Sequence, residues 1–296
     1  DPAELAAARG DRMLGRRVDQ FALAARIGVG GMGAVYRAIQ VGVDRPVAVK
    51  VLHRDLLGNA EVVQRFLQEA RASARLQHRY VATTYTSGRT SDGIPYIAME
   101  YVPGGSLRQL IDSSFAGDIE NAPAGAELPY GLTVERALRL CNQVVAALTQ
   151  AHRLGIVHRD LKPDNVLLGH DPDEGEQAKI VDFGIAKILI NQDGKSGLIK
   201  TDAHANLGTA LYMAPERFAG APGDPRLDVY ALGLLLQEML TGLLPFATTY
   251  EDRENAMALL HKRLTSPAPI LTAAHQLSPQ LLSLHSDLLD REPLRR

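Results

Sequence analysis

The chain has 296 residues, which is enough for one or two domains with a large apolar core. Apolar residues make up 46% of it, charged residues 22%, and the net charge is −2. These values give no basic field for nucleic acid or a membrane surface, so we expect no nucleic-acid partner and no membrane contact by this segment. The single cysteine, Cys141, excludes an intrachain disulfide, and its apolar neighbours predict a buried, unreactive thiol.

The first hundred residues are predicted to form strands and one helix. Short β-branched or alternating runs bounded by Gly or Pro predict strands at residues 21–27, 34–38, 46–51, 82–87 and 96–100. Apolar residues at helical spacing predict the helix at residues 61–76.

The rest of the chain is predicted to be mainly helical. Apolar periodicity predicts helices that begin after Thr133 and at residues 228–240, 250–264 and 278–289. Residues 112–131 are rich in Gly, Ala, Pro and acidic residues and have no periodicity, so they are predicted to form a long insertion loop on the surface. A tolerated insertion is favoured over an interaction site for this loop.

These elements predict an α+β chain with two lobes. An N-terminal extension (1–20) is followed by a domain at 21–296, divided into a sheet-rich lobe (21–99), a hinge (100–104) and a larger helical lobe (105–296). A cleft between lobes is a favoured place for a ligand.

Four glycines lie between two predicted strands, in Gly28-Val29-Gly30-Gly31-Met32-Gly33. Such a loop lets main-chain N–H groups approach phosphates closely, although a glycine-rich hairpin would have the same composition. A dinucleotide-binding loop would open a helix, and the strand-like residues after Gly33 argue against it.

A lysine ends the apolar strand Val47-Ala48-Val49-Lys50. It can place a positive charge on nucleotide phosphates, or it can reach water at the strand end. Glu69 lies on a plausible inward face of the next helix, where it would pair with Lys50; alone it would be a solvated helix charge.

The segment His158-Arg159-Asp160-Leu161-Lys162-Pro163-Asp164-Asn165 is a far more specific motif than the glycine loop or the lysine at the strand end. Asp160 can accept a hydroxyl proton, and Lys162 can neutralise charge on a transferring phosphoryl group. Asn165 offers an oxygen to Mg²⁺. A charged surface loop is the alternative, and His158 is interpreted as a packed core histidine.

Two further motifs follow in order. Asp182-Phe183-Gly184 comes after an apolar run, and a carboxylate at a strand end beside Gly suits metal binding. Ala214-Pro215-Glu216 lies after Gly208-Thr209. Either motif alone could be an ordinary strand exit or turn.

The ordered motifs resemble those of the eukaryotic-type protein kinases, and among them the bacterial serine/threonine kinases with a Gly-Gly-Met-Gly loop and a Tyr in Asp228-Val229-Tyr230-Ala231-Leu232-Gly233. The resemblance covers residues 21–296. It implies a bilobal protein kinase fold, with a small antiparallel β-sheet lobe carrying one regulatory helix and a larger helical lobe. It also implies transfer of the γ-phosphoryl group of ATP, with Mg²⁺ or Mn²⁺, to Ser or Thr of protein substrates.

The resemblance further implies which residues form the nucleotide site. Met99 would be the gatekeeper, and the hinge backbone would bond the adenine edge. The implied nucleotide-binding residues are Gly28, Val29, Gly30, Gly31, Gly33, Val35, Ala48, Lys50, Met99, Glu100, Val102, Leu167 and Asp182.

The implied catalytic residues belong to four of the motifs. Asp160 would be the base, and Lys50 would contact the α- and β-phosphates while paired with Glu69. Asn165 and Asp182 would hold the metal ion. The implied catalytic set is Lys50, Glu69, Asp160, Lys162, Asn165 and Thr209, the last of which would brace the Asp160–Lys162 pair.

Regulation is also implied by the resemblance. Arg159 precedes Asp160, as in kinases that are controlled by a phosphate on the activation loop. Thr201 and Ser196 are the candidate phosphorylation sites. The resemblance admits a cytoplasmic location, free or within a membrane-anchored protein, and a homodimer formed through the small lobe.

Two pairs of residues concern packing. Glu216 and Arg296 resemble the family's buried ion pair. Ser73 and Thr84 stand where the family usually has apolar side chains, so we expect the Glu69 helix to be loosely held and the domain to rest partly inactive.

The sequence argues against two rival functions. A pseudokinase would have lost Lys50, Asp160, Asn165 or Asp182, and all four are present. A small-molecule phosphotransferase of similar fold is disfavoured by the long segment that ends at Ala214-Pro215-Glu216.

Overall fold

The structure is a computed structural model, and it describes residues 11, 13–116, 131–183, 210–218, 224–247, 256–269, 271 and 277–296. The chain divides into two compact units, Asp1–Val102 and Pro103–Arg296. The first unit carries a large sheet and the second is mainly helical, which agrees with the predicted α+β class. None of the described helices is both long enough and apolar enough to cross a membrane.

The first unit is built on a six-stranded antiparallel sheet with the order β1-β2-β3-β4-β6-β5. Its strands are β1 Arg17–Val18, β2 Phe21–Val29, β3 Gly33–Gln40, β4 Arg45–Leu52, β5 Thr84–Arg89 and β6 Pro95–Glu100. A 3-10 turn at Arg54–Leu56 and one helix, α1 (Ala60–Arg75), connect β4 with β5. Strand β4 lies in the middle of the sheet, and its last six residues are all buried.

Helix α1 begins where Asn59 caps it, because the Asn59 side chain accepts hydrogen bonds from the N–H groups of Glu61 and Val62. Phe66, Glu69 and Ala70 are buried, and their i, i+3 and i+4 spacing places them on one face. The inward face predicted for Glu69 is therefore present.

The segment predicted as an N-terminal extension contributes to this sheet. Strand β1 pairs with β2, and Val18 is buried in the same core as Phe21. The Asp11 carboxylate accepts hydrogen bonds from the Tyr36 hydroxyl at 3.0 Å and from Arg26 at 3.1 Å. These contacts tie the segment to the strands that follow it.

The described part of the second unit contains helices and a two-stranded hairpin. Its described helices are α2 Leu107–Ala116, α3 Val134–Arg153, α4 Pro215–Phe218, α5 Arg226–Thr241, α6 Ala256–Thr265 and α7 Pro279–Leu288. The hairpin pairs β7 (Val166–Asp171) with β8 (Gly175–Ile180), and 3-10 turns lie at Pro163–Asn165 and Pro293–Arg295. Helix α5 is buried almost throughout, and α3 and α7 both contact it.

Helix α3 carries the single cysteine. Cys141 lies on its buried face with Leu140, Val144 and Leu148. Burial raises the pKa of the Cys141 thiol to about 12, so the thiolate is scarce at neutral pH. The predicted burial of the thiol is confirmed, and its low reactivity stays a prediction.

The predicted insertion loop starts too early. Residues 112–116 are the end of helix α2, so the prediction of a loop from residue 112 is wrong there. Leu107 and Ile111 anchor the helix in the core, and the side chain of Arg108 donates to Asp112 one turn later. The prediction missed this last turn because residues 117–130, which follow it, have the composition of a loop. Those residues lie outside the part of the chain that the structure describes. The predicted helix 250–264 is observed as Ala256–Thr265, and residues 250–255 also lie outside the described part.

Candidate active site

The glycine loop joins β2 to β3. The Gly30 N–H donates to the carbonyl of Gly33 at 2.8 Å, which closes a tight turn. A β-carbon on Gly33 would lie 2.2 Å from the Val51 carbonyl oxygen, so only glycine lets β3 start this close to β4. Because a strand and not a helix begins at Gly33, the dinucleotide-binding alternative is wrong.

Lys50 and Glu69 form a buried ion pair. The Lys50 Nζ atom lies 2.7 Å from Glu69 Oε1, and the two residues are 9% and 6% exposed. The predicted pairing is present, with β4 presenting the cation and α1 the carboxylate. Ser73 and Thr84, the polar residues expected to loosen the helix, are half-buried, and the effect expected of them stays a prediction.

Four of the residues assigned to the nucleotide share one face of the sheet. In the antiparallel register, Val35 lies opposite Lys50, and Ala48 lies opposite Met99. Side chains directly across a pair of strands project on the same face, and so do residues two apart on β4. The face therefore carries a cation beside apolar groups. Gly28 also lies opposite Val35, and Glu100 and Val102 follow at the end of β6.

In the second unit, Asp228 holds the segment that carries Asp160. Its carboxylate accepts hydrogen bonds from the main-chain N–H groups of His158 and Arg159, both at 2.8 Å. His152 also contacts it through Nε2 at 2.7 Å. Arg159 has a φ of 65°, a strained value for an arginine, and the two main-chain bonds stabilise it.

Asp160, Lys162 and Asn165 lie together. Asn165 Nδ2 donates to the Asp160 carbonyl at 2.8 Å and to its carboxylate at 3.2 Å. Lys162 Nζ lies 3.9 Å from the same carboxylate. Since the amide nitrogen of Asn165 faces Asp160, its amide oxygen points the other way. The cluster thus combines a carboxylate, a cation and an outward amide oxygen.

His158 contacts the main chain of this cluster and is fully buried. Its Nδ1 accepts from the Asp160 N–H at 3.2 Å, so Nε2 carries the proton and donates to the Val181 carbonyl at 3.1 Å. Burial lowers the pKa of His158, although nearby carboxylates oppose the shift. The ring also packs on Phe183, with ring centres 4.6 Å apart. The predicted packed core histidine is confirmed.

Asp182 follows Val181, which is the first residue after strand β8 and is hydrogen-bonded to Asn165. The Val181 N–H donates to the Asn165 carbonyl at 3.0 Å, which brings the two segments together. Asp182 has a φ of 55°, another strained value. Asn165 and Asp182 fit a cation such as Mg²⁺, which prefers oxygen ligands and takes others from phosphates and water. In the described part of the chain, no group of three or more His, Cys, Asp or Glu residues competes for a metal.

The remaining predicted residues divide into two groups. Leu167 lies on β7, where it forms an isolated bridge with Ser106, and the next residue donates to the Gly105 carbonyl at 2.9 Å. Gly184, Ser196, Thr201 and Thr209 lie outside the residues that the structure describes.

The predicted Glu216–Arg296 ion pair is confirmed. The Arg296 guanidinium donates to both Glu216 oxygens, at 2.6 and 2.8 Å. Its side chain is 0% exposed and lies over the Tyr230 ring at 4.6 Å. The pair fixes the chain that follows Ala214 against the end of the described chain.

A second buried network was not predicted. Arg108 on α2 donates to both oxygens of Glu238 at 3.0 Å, and the Tyr212 hydroxyl donates to the same carboxylate. Glu238 is fully buried on α5. The Asp228 contacts were missed as well. Asp228 and Glu238 both lie in an apolar helical run. A charged residue in such a run indicates a buried charge with a partner, and this was the sequence signal that could have identified them.

A family model described as the protein kinase domain matches residues 21–296. This chain belongs to the protein kinase domain family. The expected fold is therefore shown as well as the family. Both units contribute to the match, because it covers the sheet, the Asp160 segment and the helices after it.

The kinase domain is similar to bacterial relatives along nearly its whole length. It is 36% identical to serine/threonine-protein kinase pkn3 of Myxococcus xanthus, over 97% of this chain and 49% of the relative. It is 34% identical to serine/threonine-protein kinase PknL of Mycobacterium tuberculosis, over 94% of this chain and 62% of the relative. The chain thus spans about half to three-fifths of the length of these relatives.

Solved structures give the same result. The kinase domain is similar to a crystal structure of a double mutant of the Mycobacterium tuberculosis PknI kinase domain, with a TM-score of 0.66 and 26% sequence identity. The similarity covers 95% of this chain and 92% of that one.

Proposed function

We propose that this kinase domain transfers the γ-phosphoryl group of ATP to Ser or Thr hydroxyls of protein substrates. The observation that carries the proposal is the Asp160–Lys162–Asn165 cluster, in which the Asp160 carboxylate lies within hydrogen-bonding distance of the Asn165 amide nitrogen and within ion-pair distance of Lys162. Relatives named as serine/threonine-protein kinases support the acceptor class.

Each proposed catalytic role follows from a contact. Asp160 accepts the proton of the attacking hydroxyl, and the Asn165 N–H bond keeps its carboxylate in one orientation. Lys162 lies close enough to Asp160 to balance charge as it develops. His158 stays neutral below them and fixes the Asp160 main chain without taking a proton.

Two sets of residues are proposed to bind the nucleotide and its cation. ATP with a divalent cation supplies the transferable group and most of the charge neutralisation. Lys50, held by Glu69, would bind the α- and β-phosphates, and Asn165 and Asp182 would hold the cation. Mg²⁺ is proposed as that cation and Mn²⁺ as a substitute, since both accept oxygen ligands.

A labelling experiment tests the proposed reaction. The purified domain, incubated with a generic protein acceptor and ATP labelled in the γ-phosphate, is expected to produce phosphoserine or phosphothreonine. ATP labelled in the α-phosphate serves as the control and should leave the acceptor unlabelled. An unlabelled acceptor in both reactions would favour the pseudokinase, and label confined to small alcohols or amines would favour a small-molecule phosphotransferase.

We further propose that the domain phosphorylates itself at Thr201, with Ser196 as the second candidate. Support comes from Arg159, whose half-buried guanidinium has its Nε atom without a hydrogen-bond partner in the described structure. A phosphate could compensate such a cation. Mass spectrometry after incubation with Mg·ATP is expected to find phosphate on Thr201 and none in an Asp160→Asn control. Fully active enzyme with an unmodified Thr201 would contradict the proposal.

Three further proposals rest on the resemblance alone. They are a cytoplasmic location, anchoring to a membrane within a longer protein, and a homodimer formed through the first unit.

A further inference from the structure

His53 holds the tip of the glycine loop from the end of β4. Its main-chain N–H donates to the Met32 carbonyl at 2.9 Å. Its side chain contacts the Gly30 carbonyl through Nε2 at 3.0 Å, and because a carbonyl only accepts, Nε2 must be the donor. One residue therefore bonds two carbonyls of the loop, and it lies three residues after Lys50 on the same stretch of chain.

The Gly30 contact determines the direction of a neighbouring N–H group. The structure has no cis peptide bond in its described residues, so the Gly30–Gly31 peptide is trans and planar. In a trans peptide the N–H points opposite to the C=O. A Gly30 carbonyl directed at His53 therefore directs the Gly31 N–H away from His53.

This peptide would otherwise turn easily, because a glycine stands on each side of it. Glycine reaches regions of φ and ψ that other residues avoid, so a Gly–Gly peptide can rotate at low cost. A β-carbon on Gly31 would meet nothing within 4 Å, so the space beside Gly31 is open. The Gly30 carbonyl is held by His53, with a longer bond of 3.3 Å from the Gly33 N–H.

We propose that His53 is a positioning residue for the phosphates of the nucleotide. By bonding the Gly30 carbonyl, its imidazole keeps the Gly31 N–H turned outward, ready to donate to a phosphate oxygen. The inference rests on the proposed ATP site, and it adds a residue outside the glycine loop that keeps the loop in its phosphate-binding form.

Three substitutions separate this role from a structural one. In His53→Gln the amide nitrogen reaches about as far as Nε2 and can still donate, whereas in His53→Asn it reaches only the place of Nδ1. His53→Ala removes the donor. All three keep the main-chain bond to Met32. Arg54→Ala is the matched control, because Arg54 is the next residue and its guanidinium pairs with Asp92 instead of the loop.

Equilibrium binding of Mg·ATP and of adenosine, which lacks phosphates, provides the readout. We expect His53→Ala and His53→Asn to bind ATP roughly 5- to 10-fold more weakly, the effect of one hydrogen bond, while His53→Gln and Arg54→Ala match the wild type. Adenosine affinity should be equal in all five proteins. Without nucleotide, hydrogen exchange of the glycine-loop amides should be faster in the Ala and Asn variants.

The outcomes are distinguishable. Equal ATP affinity in His53→Ala and the wild type would overturn the inference, and so would a parallel loss of adenosine affinity. No ATP binding by the wild-type domain would instead overturn the proposed function.

Discussion

Replacing Lys50 with Met is expected to lower the rate of phosphoryl transfer by about 10²- to 10³-fold, the loss typical of removing one charge-stabilising group. Lys50 is buried, its Nζ atom lies 2.7 Å from Glu69, and its β4 position is fixed by strands on both sides. Met keeps most of the side-chain volume but carries no charge. The activity should therefore fall. The sheet should stay folded but lose some stability, because the buried Glu69 carboxylate loses this cation.

The partner variant tests the position of the lysine. Glu69→Gln keeps the shape of the side chain but removes the charge that holds Lys50, so we expect a smaller loss of activity with Lys50 still present. The double variant should be no less active than Lys50→Met, because the two residues act as one unit. Arg71→Gln, an exposed charge on the same helix, is the matched control and should keep full activity.

Initial rates of γ-phosphate transfer measure the loss of activity, and circular dichroism shows whether the variants stay folded. Full activity in a folded Lys50→Met protein would contradict the role of Lys50. Losses in Lys50→Met and Glu69→Gln that simply add in the double variant would contradict the idea that the ion pair works as one unit.

Breaking the Glu216–Arg296 pair is expected to cost about 3 to 5 kcal/mol in the free energy of unfolding, the range for removing one partner of a buried ion pair. In Arg296→Met the Glu216 carboxylate keeps its charge but loses two hydrogen bonds of 2.6 and 2.8 Å. The same change also removes the cation from the Tyr230 ring. A loss of this size is a large share of the stability of an ordinary domain.

Chemical denaturation of the wild type and four variants measures this effect. Arg295→Met is the matched control, because Arg295 is the neighbouring residue and is exposed. Glu216→Leu should be as costly as Arg296→Met, and the double variant should be more stable than the sum of both losses allows, since neither charge is then left buried alone. If Arg296→Met were no less stable than Arg295→Met, the pair would not stabilise the domain.

Local patterns predicted much of the fold. Strand β4 and helix α5 are strongly apolar, and apolar runs of this kind favour burial, so their existence followed from the sequence. Boundaries were less certain. The last turn of α2 was not predicted because the residues after it have the composition of a loop, whereas Leu107 and Ile111 earlier in the helix hold it in the core.

Side-chain chemistry at fixed spacing predicted most of the candidate site. Asp160, Lys162 and Asn165 lie within six residues, so their proximity is a local property of the chain. The Lys50–Glu69 pair followed from the family resemblance together with the helical spacing of the inward face. Asp228 and Glu238 could not be assigned in this way, since their partners lie about 70 and 130 residues away.

The sequence by itself determined the family, the order of the motifs and the chemical groups available for phosphoryl transfer. Only the tertiary structure decided which distant groups meet: Asp228 under the Asp160 segment, Glu238 with Arg108, and His53 on the Gly30 carbonyl. The physical reason is that residue types and spacing act within a few turns of chain, whereas hydrogen bonds between distant segments depend on how the folded chain brings them together.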